Sequence, residues 1–307
     1  MTLDLAIAEM EHRWNESGIP GLYEGSGPEM RERARNIRAL LYPKPKLEPG
    51  RLEDIEIPGP AGVIPARVVW PLGAPQPSAT LVYFHGGGWI VGDIDSHEAH
   101  CIRIANRTGA VVITVGYRLA PEDPFPAGVE DALAATRWVH RHRARFAGTG
   151  KPLALGGDSA GGNLAAVAAV ACRDEGIPVA VQFLLYPATD LTSPRHGQVG
   201  VAYLGSGPDA ERKARDPRVS PLLARTLAGV APAIIGVGVY DFLYEDNLAY
   251  AKALNEVGVP TTLREFATLN HGFFSYTSIS ADSLAAADSL CDDLRAALLS
   301  ANTAVQE

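Results

Sequence analysis

Residues 155–162 read Leu-Gly-Gly-Asp-Ser-Ala-Gly-Gly, and Ser159 at their centre is the residue of this chain best placed to act as a nucleophile. An apolar run, Pro152-Leu-Ala-Leu, precedes it, and an alanine-rich segment, Asn163 to Cys172, follows. That is G-x-S-x-G at a strand-to-helix turn, which strains the serine backbone and lifts its hydroxyl above a sheet. A side chain at 157 or 161 would collide with so tight a turn, hence the two glycines. Without its context the same stretch reads as a glycine turn with a helix-capping serine.

A second motif decides between the two. Residues 81–88, Leu-Val-Tyr-Phe-His-Gly-Gly-Gly, are again an apolar strand running into a glycine loop. Such a loop offers backbone N–H groups, with no Cβ in the way, to a carbonyl oxygen that is becoming an oxyanion. A phosphate cradle would end in Gly-Lys-Ser/Thr, and Trp89-Ile90 stands there instead. A serine nucleophile beside an oxyanion loop is the equipment of acyl transfer.

These two motifs belong to a set of six stretches: Tyr83-Phe-His-Gly-Gly-Gly-Trp, Gly92-Asp93, Tyr117-Arg-Leu-Ala-Pro-Glu, Pro124-Phe-Pro-Ala, Gly157-Asp-Ser-Ala-Gly-Gly-Asn and Asp216-Pro-Arg-Val-Ser-Pro-Leu. In these, and from residue 51 to about 300, the chain resembles the hormone-sensitive-lipase-like family of bacterial α/β-hydrolase esterases. The resemblance implies an α/β-hydrolase fold with a mostly parallel central sheet, helices on both faces and a small helical cap. It also implies that Gly87 and Gly88 donate their N–H groups to the oxyanion, beside that of Ala160 at the elbow.

The serine needs a base, and in this fold the triad runs in chain order serine, acid, histidine. Only His196 and His271 lie downstream of Ser159. His196, in the polar stretch Ser193-Pro-Arg-His-Gly, is expected to be a solvated cap-loop residue. His271, in Asn270-His-Gly-Phe-Phe, follows the last expected strand, matches the family pattern His-Gly-Phe and is the expected base. The acid must fall between them at a strand end. Asp241 follows Ala233-Ile-Ile-Gly-Val-Gly-Val, and Asp241-Phe-Leu resembles the family's Asp-Pro-Leu with phenylalanine in place of proline. Asp190, after Leu185-Tyr-Pro-Ala-Thr, is the rival, although Asp-Leu-Thr-Ser has turn chemistry. Glu245 and Asp246 suit the first turn of the next helix. His85 is expected to organise the oxyanion loop by hydrogen bonding, and Asp158 to be structural.

Positioning these groups requires strands alternating with helices, which implies a mainly parallel sheet covered on both faces. Helical stretches are expected over 3–14 and 29–41, then strands at 51–57, 66–70, 80–84 and 111–115. A helix over 97–107 would be capped by Ser96. A helix over 129–146 leads to the elbow strand, and the elbow helix runs to about 175. Strands at 180–185, 233–239 and 261–266 and helices at 245–257 and 282–299 complete the chain. By the same resemblance, residues 1–50 are read as N-terminal cap helices. Residues 51–307 are read as the catalytic domain, with a cap insertion at about 193–215 in which Tyr203 is the only aromatic residue. A lid with so few apolar anchors favours short- to medium-chain esters. Trp89, Phe242 and Phe273 are expected to line the substrate pocket, with Trp14 and Tyr23 as further candidates.

Composition narrows the rest. Among 307 residues, 27 are basic and 35 acidic, giving a net charge of −8, and no basic cluster would track a phosphate backbone. Nucleic acid is therefore not an expected partner. The N-terminus lacks the basic and apolar regions of a signal peptide, and no apolar run is long enough to span a membrane. Cys101, Cys172 and Cys291 are odd in number and read as reduced, buried side chains. A cytoplasmic enzyme is expected, acting on a small-molecule ester, with a homodimer compatible with the sequence. No cofactor and no metal are expected: His97-Glu-Ala-His100 is not H-E-x-x-H, lacks an evident third ligand and reads as a polar helix face. The expected function is a serine carboxylesterase. An amidase or arylformamidase would use the same triad, and a non-catalytic binding protein would be expected to have lost part of it.

Overall fold

A computed structural model of the chain describes residues 2–74 and 76–304. Eight strands form one sheet: β1 (Arg51–Gly59), β2 (Gly62–Trp70), β3 (Thr80–Phe84), β4 (Val111–Val115), β5 (Leu153–Asp158), β6 (Val181–Leu185), β7 (Ala233–Gly238) and β8 (Thr261–Phe266). Their order is β1-β2-β4-β3-β5-β6-β7-β8. The hairpin β1–β2 and the pair β2–β4 are antiparallel, and every later pairing is parallel. Strands β3 to β7 are buried along their whole length. That is why they read as continuous apolar runs, whereas the edge strand β8 mixes exposed and half-buried residues.

The helices are α1 (Leu5–Glu16), α2 (Gly27–Leu41), α3 (Glu98–Thr108), α4 (Ala127–His142), α5 (Ala160–Asp174), α6 (Gly197–Leu204), α7 (Pro208–Ala214), α8 (Tyr244–Glu256) and α9 (Ala281–Ala304). Side chains alternate across the sheet, so neighbouring strand residues feed two different cores. Val82 and Phe84 join Val129, Val139, Leu164 and Leu254 of α4, α5 and α8 on one face. Leu81 and Tyr83 join Cys101, Ile104, Leu290 and Leu294 of α3 and α9 on the other. Ile7, Met10, Ile37 and Leu41 of α1 and α2 belong to this second core.

Most elements fall within two or three residues of the sequence expectation. Three differ for local reasons. The first helix starts at Leu5 because the Asp4 carboxylate accepts the Ile7 N–H at 3.0 Å. The second starts at Gly27, two residues early, because Glu29 reaches back to the Ser26 N–H and hydroxyl at 2.8 and 2.7 Å. Ser96 does not cap α3; its hydroxyl accepts the Asp93 N–H and donates to the Asp93 carbonyl, closing a turn, and His97 takes the N-cap position. Within 193–215 the chain forms α6 and α7, of eight and seven residues. Such short helices carry too few periods to be read from the pattern of apolar positions alone.

Candidate active site

The parallel strands end on one rim of the sheet, and the loops that leave this rim carry the reactive groups. Between β5 and α5 the chain turns at Ser159 with φ of 53° and ψ of −116°, a strained conformation for a residue with a Cβ. The Ser159 N–H is held by the Leu185 carbonyl at 2.8 Å. A Cβ on Gly157 would strike the Gly161 backbone, and one on Gly161 would strike the Phe84 carbonyl. Both glycines are thus required by close approach of α5 to β3 and β5.

The loop after β8 brings His271 beside the serine. Its Nε2 lies 2.9 Å from Ser159 Oγ, and its Nδ1 lies 2.8 and 2.9 Å from the two carboxylate oxygens of Asp241. The Asp241 carboxylate is fully buried and also accepts the Leu243 N–H at 2.7 Å. A carboxylate accepts only, so Nδ1 carries the proton and Nε2 is left as the acceptor facing the serine hydroxyl. Asp190 stands apart from this chain of bonds: its carboxylate accepts the Thr192 N–H and hydroxyl at 2.9 and 2.6 Å, closing a turn.

Gly87 and Gly88 have φ of 122° and 63°, and among the described residues their N–H groups have no hydrogen-bond partner. The loop is fastened from behind. Asp158 accepts the Gly86 N–H at 3.0 Å and the Tyr83 hydroxyl at 2.8 Å. Burial pushes the Asp158 carboxyl up, but His97, His100 and the Tyr83 hydroxyl outweigh it and hold the group well below the usual carboxylate range. His85 is buried and pushed down to about 4 by that burial and by His97, so it is neutral. Its Nδ1 donates to the Gly86 carbonyl at 2.9 Å while its ring stacks on Tyr117 at 4.3 Å. It organises the loop, as expected.

Three expectations need correction. His196 is not solvated: it is buried, and its Nε2 contacts the Asp190 carbonyl at 2.8 Å on the wall of the active-site cavity. Nothing in the polar stretch around it signals that packing. His97 and His100 are not a polar helix face either; both are buried. The fold supplies Asp158 as a third group, its donor atom and theirs lying within 4.8 Å of one another. His97 contacts Asp158 at 3.3 Å, and burial, His97, Arg38 and Arg103 push His100 well below its ordinary value against the opposing pull of Asp158, so the His100 ring is neutral. Phe273 does not line the pocket. It is fully buried, because the 3₁₀ turn Phe273–Ser275 folds under the site and packs the ring on Tyr186 and Phe266 at 5.1 and 5.2 Å.

The cavity above Ser159 has a volume of about 540 Å³, and Trp14, Tyr23, Trp89, Phe242 and His271 are among its walls. Trp89 is stacked on Tyr203 of α6, with ring centroids 4.3 Å apart and planes 3° from parallel. That single aromatic of the 193–215 segment therefore anchors it to the residue next to the glycine loop. Sequence reasoning missed Glu11, whose Oε1 accepts the Asn270 amide at 2.6 Å, directly beside His271. Asp246 lies in the first turn of α8, as expected, and 3.5 Å from Arg195 of the cavity wall. Burial and the carboxylates of Asp190, Asp241 and Glu245 push Asp246 up to about 6, against the opposing pull of Arg195.

Comparison with known proteins adds an independent line. A family profile described as alpha/beta hydrolase fold matches residues 81–275. The chain is 42% identical over 264 residues to the carboxylic ester hydrolase LipN of Mycobacterium tuberculosis, covering 80% of this chain and 70% of that one. It is 34% identical to the ethyl acetate hydrolase of Pseudomonas putida, covering 82% and 84%. Among solved structures, the hyperthermophilic esterase of Pyrobaculum calidifontis superposes with a TM-score of 0.85 at 32% identity, covering 99% of this chain and all of that one.

Proposed function

The chain belongs to the alpha/beta hydrolase fold family, among its hormone-sensitive-lipase-like esterases, and we propose that Ser159, His271 and Asp241 make it a serine carboxylesterase of short- to medium-chain esters. That it is a carboxylic ester hydrolase follows from its relatives. The residue roles rest chiefly on one observation, the unbroken run of contacts from Ser159 Oγ through both ring nitrogens of His271 to the buried Asp241 carboxylate.

Ser159 Oγ attacks the ester carbonyl carbon as His271 Nε2 takes its proton. Asp241 keeps the ring in that tautomer and stabilises the imidazolium. The carbonyl oxygen, now negative, accepts from the N–H groups of Gly87, Gly88 and Ala160, each such donor contributing roughly 3–4 kcal/mol in comparable sites. His271 then protonates the departing alcohol, and water repeats the sequence on the acyl-enzyme. Asp158 keeps the glycine loop in place from beneath.

A cavity of about 540 Å³ closed by Trp14, Tyr23 and Phe242 supports acyl chains of modest length. The relative that hydrolyses ethyl acetate supports the same preference. Among the described residues no helix is long and apolar enough to cross a membrane. Three free, buried cysteines support a reducing compartment such as the cytoplasm.

Initial rates on p-nitrophenyl esters from acetate to palmitate, for the wild type and Ser159→Ala, test this reading. The variant should lose several orders of magnitude in kcat, up to roughly 10⁶-fold, with wild-type activity peaking at short to medium chains. A peak at palmitate would overturn the chain-length assignment, and an active Ser159→Ala would overturn the mechanism.

A further inference from the structure

The N-terminal segment does more than cover the cavity. The turn between α1 and α2 is closed by the Glu24 N–H on the Gly21 carbonyl at 3.1 Å. Arg33 of α2 clamps it, donating to the carbonyls of Gly21 and Glu24, both at 2.7 Å. Tyr23 sits between those two carbonyls. The whole segment is fastened to the catalytic loops: the Asp4 N–H donates to the Thr268 carbonyl at 2.8 Å, and Arg31 donates to the Ile90 carbonyl at 3.1 Å. Glu11 holds Asn270, as described above. Tyr23 is thus placed by a turn hydrogen-bonded to α2, in a segment hydrogen-bonded to the catalytic loops.

Its hydroxyl reaches the oxyanion loop. A Cβ built on Gly88 would lie 3.1 Å from Tyr23 Oη and 2.9 Å from Val199 of α6. Tyr23, Gly88 and Ser159 line the same cavity. Among the described residues the Tyr23 hydroxyl makes no hydrogen bond, and the half-buried side chain opens on the cavity. Burial, then Tyr42, push it up to about 12, so it stays protonated, and a donor, at neutral pH. A phenol that is protonated and makes no hydrogen bond beside Gly88 suits one partner in an ester hydrolase, an oxygen that gains negative charge in the reaction.

We propose that Tyr23 is a further catalytic residue, whose hydroxyl donates a hydrogen bond to the oxyanion alongside the backbone N–H groups of Gly87, Gly88 and Ala160. The proposal rests on the esterase reading above. No proton leaves the phenol: the bond strengthens as charge builds on the carbonyl oxygen and weakens when the carbonyl re-forms. The N-terminal segment then completes the active site itself.

Tyr23→Phe keeps the ring in the wall and removes only the hydroxyl. On p-nitrophenyl acetate and butyrate it should lower kcat roughly 10- to 100-fold with KM changed less than about twofold, somewhat below the loss for a backbone-equivalent oxyanion donor. The inhibition constant of an alkyl trifluoromethyl ketone, which adds to Ser159 to form a stable oxyanion, should rise by a similar factor. A higher KM with kcat and ketone affinity unchanged would make Tyr23 a wall residue and overturn the proposal, as would no change at all. Wild-type protein inactive on every ester would instead bring down the esterase reading on which it stands.

Discussion

His271 meets Ser159 with one ring nitrogen and Asp241 with the other, so the carboxylate fixes the tautomer before any substrate arrives. Asp241→Asn would offer an amide in its place and admit the wrong tautomer, and kcat should fall roughly 10⁴-fold. Asp190→Asn, which disturbs only a local turn, should cost less than tenfold; the reverse order would identify Asp190 as the acid. Ser159 and the rival pairs His196/His271 and Asp190/Asp241 were legible from motif and chain order, because those depend on covalent sequence and on strand ends. What was not legible depends on packing direction. Phe273 and His271 are two residues apart, yet one ring lies beneath the site and the other within it. Glu11 and Asn270 are 259 residues apart in sequence, and no local pattern announces their contact.

At the scale of elements, the elbow works because α5 starts almost on top of β3. Gly161→Ala would press a methyl group onto the Phe84 carbonyl, backbone against backbone, where neither side can yield cheaply. We expect the variant to lose about 1–3 kcal/mol or more of stability and to melt several degrees lower. An unchanged Tm would show that the close approach of helix and strand is not a constraint on this fold. The sequence exposes this element because strained turns demand glycine. It exposes α6 and α7 poorly, since an eight- or seven-residue helix is held by tertiary contacts such as the Trp89–Tyr203 stack rather than by its own periodicity.

Taken as a whole molecule, one mainly parallel sheet divides two cores, and α1 and α2 are built into one of them through Ile7, Met10, Ile37 and Leu41. A mainly parallel sheet could be inferred from the α/β alternation and the family resemblance; the depth to which the first fifty residues enter the core could not, because the apolar face of a helix does not tell what it packs against. On the proposed reading Ser159, in the wall of the cavity, is the one serine that should react with a phosphonylating probe, and that is directly measurable. Intact-mass analysis with peptide mapping after exposure to a p-nitrophenyl alkylphosphonate should find one phosphonyl adduct, on Ser159, absent from Ser159→Ala and much slower to form in His271→Ala. An adduct on another residue, or full labelling of Ser159→Ala, would contradict the account at its centre.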